Sequence, residues 1–217
     1  MISFEGAIFD MDGVLLDSEG LWRAVWQRAA KTHGYDLSDE THREMVGIAR
    51  ATNIEKVWNL AERGFDKEEF AKELRTQEQE IFESSQAAIR EGVVEFLEGL
   101  RIRNIPCSVA TSTRKGEALK RLKRAGLLDF FMAVVGGDEV ALGKPNPEIY
   151  LRAANEMGVN PANCIVFEDS HICVTSVREA GLIGCYVPEG SHGEHNNTDR
   201  AQLTFASLKD VSTFLLK

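Results

Sequence analysis

From Gly92 to Val187 the chain alternates short apolar runs with amphipathic stretches that stop at glycine, and this alternation restricts the fold more than any other feature. The apolar runs are Cys107-Ser108-Val109-Ala110, Ala133-Val134-Val135, Cys164-Ile165-Val166-Phe167 and Ile183 to Val187, with Leu203 to Phe205 as a further short candidate. Helical patterns lie between them: Gly92 to Arg103, Lys115 to Arg124 stopped by Gly126, a segment opened by Asn146-Pro147 and ended by Gly158, and Ser170 to Gly181. Proline in a first turn and glycine past a last one are start and stop signals. Short, continuously apolar strands separated by helices predict a parallel sheet covered on both faces. Ala7-Ile8-Phe9 supplies one more strand at the start. The expected class is α/β, a doubly wound parallel sheet with a Rossmann-like core.

Between Ser18 and Arg90 this pattern is replaced by helical periodicity alone, with no convincing strand. Ser18 can cap a helix running to Lys31, on which Leu21, Trp22, Val25, Trp26 and Ala29 recur at helical spacing. Ser38-Asp39 opens a short second helix that ends before Gly47. Thr52 to Arg63 forms a third, with Gly64 as its stop, and Asp66 caps a fourth through about Ser84. The expectation is an all-α cap inserted after the first strand and closing over the carboxyl ends of the sheet. The core would comprise residues 1–16 and 89–217, and the cap 17–88. Leu16 to Glu19 and Gln86 to Gly92 would be its hinges.

Charge narrows the function. The net charge of -9 argues against a general nucleic-acid binder, which needs a basic face. No apolar run approaches the roughly 18 residues of a membrane span, and the start lacks the basic region of a secretory signal. None of the four cysteines, Cys107, Cys164, Cys173 and Cys185, forms a Cys-x-x-Cys pair. They read as reduced core thiols of a cytoplasmic protein. The expected partner is a small phosphorylated metabolite, not a nucleic acid or a membrane, and the expected state a monomer or weak dimer.

The polar residues at the strand ends carry the chemistry. The first strand ends in Asp10-Met11-Asp12-Gly13. If extended geometry persists this far, both carboxylates point into the same space, where like charges resist joint ionisation without a cation or a proton. The second long strand ends in Thr111-Ser112-Thr113, a loop before a helix carries Gly143-Lys144-Pro145, and a later strand ends in Glu168-Asp169. Ligands bind at these strand ends in parallel α/β sheets. Together the groups read as a phosphoryl-transfer site. Asp10 is placed as nucleophile and Asp12 as proton donor and then base. Thr111, Ser112 and the Gly13 turn offer hydroxyl and backbone N–H groups to phosphate. Lys144 offers a point charge to the phosphate and to Asp10. Asp169, with Glu168 behind it, completes the oxygen-only ligand set that Mg²⁺ prefers.

Asp10-x-Asp12-Gly13-Val14, then Thr111, Lys144-Pro145 and Glu168-Asp169-Ser170, resembles the four motifs of the haloacid dehalogenase superfamily across nearly the whole chain. The inserted helices resemble the subgroup that holds β-phosphoglucomutase and small sugar-phosphate phosphatases. The resemblance implies a Mg²⁺ site made of Asp10, the Asp12 carbonyl and Asp169, with Glu168 acting through water or from behind the ligands. The true dehalogenases lack the second aspartate and need no metal, so Asp12 and Asp169 argue for phosphate chemistry. β-Phosphoglucomutases carry a cap histidine where this chain has Trp22, and Asp17 to Trp22 looks more like the sugar phosphatases. Gly47-Ile48-Ala49-Arg50 resembles the cap's substrate loop, in which Arg50 would reach a substrate anion or else be a surface arginine, and Trp22 would line the pocket or else belong to the helical core. Cys173 stands where the family has a small residue, and local repacking is expected there. The expected activity is Mg²⁺-dependent hydrolysis of sugar phosphates through an aspartyl phosphate. The alternatives are a phosphomutase and a non-catalytic phosphate-binding protein.

The remaining polar clusters read as bland. Ser191-His192-Gly193-Glu194-His195, beside Asn196-Asn197, reads as a solvated loop. His171 reads as a helix-start residue near the site. Lys120-Arg121-Lys123-Arg124 reads as a solvated face, and Glu78 to Glu83 as a helix face.

Overall fold

The computed structural model describes residues 2–46, 48, 50–188 and 201–216. The 191–197 loop expectation and residues Gly47 and Ala49 of the substrate-loop pattern lie outside the described residues. The chain divides into two compact units, residues 1–17 with 88–217 and residues 18–87.

The first unit is built on a parallel six-stranded sheet in the order β5-β4-β1-β6-β7-β8. Its strands are β1 (Gly6–Phe9), β4 (Cys107–Thr111), β5 (Ala133–Gly136), β6 (Cys164–Glu168), β7 (Ile183–Tyr186) and β8 (Leu203–Thr204). Helices α5 (Val93–Ile102), α6 (Lys115–Arg124), α7 (Glu148–Glu156), α8 (His171–Glu179) and α9 (Leu208–Leu215) complete the unit. β1 is central, and its register pairs Phe9 with Val109 on one side and with Phe167 on the other.

Side chains alternate across the sheet with period two. Ile8, Ala110 and Val166 pack with Ile149, Tyr150 and Ala153 of α7 in one buried cluster. Phe9 turns to the other face, where its ring stacks on Phe167 at 4.8 Å and meets Phe96 of α5 edge-on at 6.0 Å. Each of these fully buried rings contributes about 2–3 kcal/mol from area alone. The strand ends are thereby held from both sides.

Turn chemistry sets the helix limits. Gly126, Gly158 and Gly181 all have positive φ just past a helix. Ser170 Oγ accepts the Cys173 amide, and Asn146 Oδ1 accepts that of Glu148. At Gly137 a Cβ would lie 2.5 Å from the Ser112 carbonyl oxygen, so the loops after β4 and β5 meet backbone to backbone only because this residue is glycine.

The second unit packs α1 (Glu19–Thr32), α2 (Asp39–Arg43), α3 (Arg50–Leu60) and α4 (Lys67–Ser84) around Val25, Trp26, Ala29, Phe70 and Leu74. Ser38 Oγ accepts the Thr41 amide, and Asp66 accepts those of Glu68 and Glu69. Ser18 occupies its N-cap without a side-chain cap bond. Among the described residues no helix is long and apolar enough to cross a membrane.

Several local expectations are corrected. α3 ends through left-handed Glu62 and Arg63, at φ 52° and 61°, rather than at Gly64. Ala88–Ile89 forms a short strand β3, antiparallel to β2 (Leu16–Asp17). Within the 78–83 helix face, Glu78 is buried with Ile81 and Phe82. Arg121 is only 8% exposed, while Lys120, Lys123 and Arg124 are solvated as expected. Its position, three residues after buried Ala118 and beside Leu122, turns it inward.

Candidate active site

The register of β1 against β6 brings the first two acids together. Phe9 pairs with Phe167, and the Asp10 amide continues the ladder by donating to the Phe167 carbonyl at 2.9 Å. Asp10 and Glu168 therefore follow Ile8 and Val166 onto the face covered by α7. Asp10, Glu168 and Asp169 each offer a carboxylate oxygen within 4.8 Å of the others.

Lys144, just ahead of α7, enters this cluster. Its ammonium donates to Asp10 Oδ1 at 2.6 Å and to Glu168 Oε1 at 2.5 Å, and it is 5% exposed. Tyr150, in the first turn of α7, donates to the same Glu168 oxygen at 2.5 Å. Its ring centroid lies 5.1 Å from the Lys144 ammonium. Burial alone would drive the proton off Lys144, but the Asp10 and Glu168 carboxylates reverse this and hold it cationic. Burial raises Asp10 to about 8; Lys144 opposes that rise, and the Glu168 charge adds to it. Burial and the Glu168 charge also push the Tyr150 phenol well above its usual range, which keeps it a donor.

Asp12 lies beyond the end of the strand, although its charge still reaches Asp10 and helps to raise it. The extended strand stops at Phe9, Asp12 forms an isolated bridge with Leu16, and Gly13 turns the chain at φ 88°. The expectation of persistent extended geometry is thus corrected, because the turn needs a left-handed residue directly after Asp12. The Asp12 carboxylate is not part of the acidic cluster. Its Oδ2 accepts from Thr113 Oγ1 at 2.9 Å, and its Oδ1 lies 3.8 Å from Arg121 Nη1. Thr111 is buried, and its Oγ1 accepts the Thr113 amide at 3.1 Å, which fixes the turn and leaves the hydroxyl its own proton to give. Ser112, between them, is exposed.

In the helical unit, Arg50 Nη2 bonds Glu78 Oε2 at 2.6 Å, and its guanidinium lies over the Trp22 ring at 5.5 Å. Trp22 is half-buried against Phe82, with ring centroids 5.1 Å apart. His171 stacks on Tyr186 at 3.8 Å. Burial, then the Glu168 charge, pushes the Cys173 thiol up to about 12, so it is a packed thiol and not a nucleophile. All four cysteines are buried and reduced.

Sequence reasoning missed three residues of this arrangement. Tyr150 was hidden in an apolar helix face, Arg121 in a basic run, and Thr113 was named only as part of a strand end. Helical spacing from Pro147 and from Ala118 was the signal for the first two.

The donor set fits a divalent cation. Asp10, Glu168 and Asp169 bring three carboxylates together, a donor set made only of oxygen. Residues 4–181 match the haloacid dehalogenase-like hydrolase family. The chain is 36% identical over 182 residues to the phosphorylated carbohydrates phosphatase of Thermotoga maritima, covering 84% of each chain. It is 28% identical over 192 residues to the beta-phosphoglucomutase of Bacillus subtilis, covering 86% of this chain and 84% of that one. The crystal structure of beta-phosphoglucomutase from Clostridium difficile superposes with a TM-score of 0.84, covering 96% of this chain and 93% of that one at 23% identity, a likeness of fold.

Proposed function

The chain belongs to the haloacid dehalogenase-like hydrolase family, and from that membership we propose that it is a Mg²⁺-dependent phosphatase of sugar phosphates working through an aspartyl phosphate. As a phosphoric monoester hydrolase it must protonate a poor leaving group and then activate water. The observation that carries the reading is the different surroundings of Asp10 and Asp12. Asp10 is buried with Lys144 on Oδ1, whereas Asp12, two residues on, accepts from Thr113. Two carboxylates in unlike environments are suited to unlike roles.

Asp10 attacks phosphorus through the oxygen that Lys144 does not hold. As the Asp10 oxygen–phosphorus bond forms, the phosphorus–sugar oxygen bond breaks, and Asp12 gives its proton to the departing oxygen. Water then attacks the aspartyl phosphate, Asp12 takes a proton from it, and the Asp10 oxygen–phosphorus bond breaks to release phosphate. Lys144 holds Asp10 in line, and Thr111 with the amides of its turn receives phosphoryl oxygens. The Asp10 and Asp169 carboxylates and the Asp12 carbonyl would hold Mg²⁺, whose charge favours ionised Asp10 and draws electron density from the phosphoryl group.

Phosphomutase action is the second reading, favoured by the likeness to the Bacillus subtilis enzyme. The hydrolase is preferred because the chain carries Trp22, whose indole nitrogen does not titrate, where β-phosphoglucomutases carry a cap histidine. The test is phosphate release from hexose and pentose phosphates with Mg²⁺ and with chelator. Metal-dependent release that Asp10→Asn abolishes is expected. Interconversion of sugar phosphates on adding a bisphosphate, without net release, would establish the mutase instead.

A further inference from the structure

We propose that Arg121 is a positioning residue for proton transfer by Asp12, acting directly and through Thr113. The inference rests on the phosphatase reading of the site and adds to it the residue that faces the charge Asp12 acquires as the leaving group departs.

Three observations carry it. First, Arg121 is buried, although it belongs to a run of basic residues whose other members are solvated. Taking a guanidinium out of water is costly unless a carboxylate answers it. Second, its Nη1 lies 3.8 Å from Asp12 Oδ1 and donates to Thr113 Oγ1 at 3.4 Å. Third, the contacts have a fixed direction. Arginine only donates, so the Thr113 oxygen accepts from it and the single hydroxyl proton goes to Asp12 Oδ2 at 2.9 Å.

With Oδ2 receiving Thr113, the proton that Asp12 delivers sits on Oδ1. When the phosphorus–oxygen bond breaks and that proton moves to the leaving oxygen, Asp12 becomes a carboxylate. Its new charge meets the hydroxyl proton on one oxygen and the buried guanidinium near the other. Both contacts strengthen as charge develops, so they favour the transition state over the ground state. Lys144 is committed to Asp10 and Glu168, so the two aspartates have separate cations.

The consequence depends on the leaving group. A sugar alkoxide needs the proton, whereas para-nitrophenolate leaves without it. Because kcat/KM reports steps only up to departure of the alcohol, the later attack of water does not blur the comparison. The experiment measures kcat/KM of the full chain with Mg²⁺ on a hexose phosphate and on para-nitrophenyl phosphate. Arg121→Met should lower the hexose-phosphate value at least about tenfold further than the aryl value, within the range that general acids contribute. Arg121→Lys, which keeps the charge, should recover part of that difference. Thr113→Val keeps the shape and removes the hydroxyl; it should shift the ratio in the same direction, and it carries the test if Arg121→Met does not fold.

Equal losses on both substrates in Arg121→Met and Thr113→Val would show a structural role only and overturn the inference. An unchanged ratio in either folded variant would overturn it too. A wild-type protein that released phosphate from neither substrate would overturn the phosphatase reading itself, and that failure is distinct because it needs no variant.

Discussion

Tyr150 donates its phenolic proton to Glu168 at 2.5 Å, onto the carboxylate oxygen that also receives Lys144. The phenol therefore helps hold the acid that holds the lysine that holds Asp10. Tyr150→Phe removes one buried bond and leaves the ring in place. It should lower stability by about 1–2 kcal/mol and reduce kcat/KM several-fold through a looser Lys144. Urea unfolding and steady-state kinetics check both; unchanged values in both would mean that the phenol is a bystander.

Lys144 is the shared cation of Asp10 and Glu168. Lys144→Met leaves two buried carboxylates without it and should destabilise the protein by about 3–5 kcal/mol. The double change Lys144→Met with Glu168→Gln removes one of those charges and should be more stable than the single variant. Urea midpoints in chelator, where no added cation substitutes for the ammonium, provide the comparison.

The acidic cluster contains Asp169 but not the Asp12 carboxylate. Mg²⁺ at about a hundred times its dissociation constant should raise unfolding stability by about 2–3 kcal/mol. Asp169→Asn should abolish most of that gain. Asp12→Asn should retain it, because its assigned ligand atom is the backbone carbonyl. Loss of the gain in both variants would place the Asp12 side chain on the metal. Thermal melting with and without Mg²⁺ reads the effect in the absence of any substrate.

His42 lies buried in the helical unit, and burial, then the nearby Arg23 charge, lowers it to about 4 from an ordinary 6.5. The unfolded chain takes up this proton below pH 6.5 while the folded unit resists it. Stability is therefore full above pH 6.5 and falls as the pH drops towards 4, by about 2–3 kcal/mol. All three tryptophans, Trp22, Trp26 and Trp58, lie in residues 18–87, so their fluorescence follows this unit alone. His42→Leu should flatten the fall; an equal fall in the variant would assign it to other groups.

Much of the core was legible because its strands are short runs with little competing pattern. Cys107–Thr111 and Cys164–Glu168 lie where continuous apolar residues end in polar ones. Helix limits followed where glycine supplied a left-handed residue, as at Gly126, and failed where Glu62 and Arg63 did so against propensity. The C-terminal helix α9 went unread although Ser207, accepting the Asp210 amide, opens it with an ordinary cap. At the site, the strand-end groups were visible as residues, but their partners were not. Glu168 shares one oxygen between Lys144 and Tyr150, and Asp12 turns to Thr113, because of register and a glycine turn. Those are long-range pairings that no local spacing encodes. Arg121 departs from its basic neighbours because its place on α6, on the buried side with Ala118 and Leu122, outweighs its residue type.

The antiparallel pairing of Leu16 with Ile89 and of Asp17 with Ala88 has a consequence for the gene as well as the protein. The chain leaves the sheet unit on one strand and returns on its neighbour, as in a hairpin whose loop happens to be residues 18–87. Loop-closure cost grows only logarithmically with length, so the length of the segment between the two ladder pairs weighs little on their closure. Such a seam is a cloning site supplied by nature. Asp10, Lys144 and Glu168 all lie on the sheet side of that seam, so exchange of residues 18–87 for the helices of a relative leaves every one of them in the retained sequence.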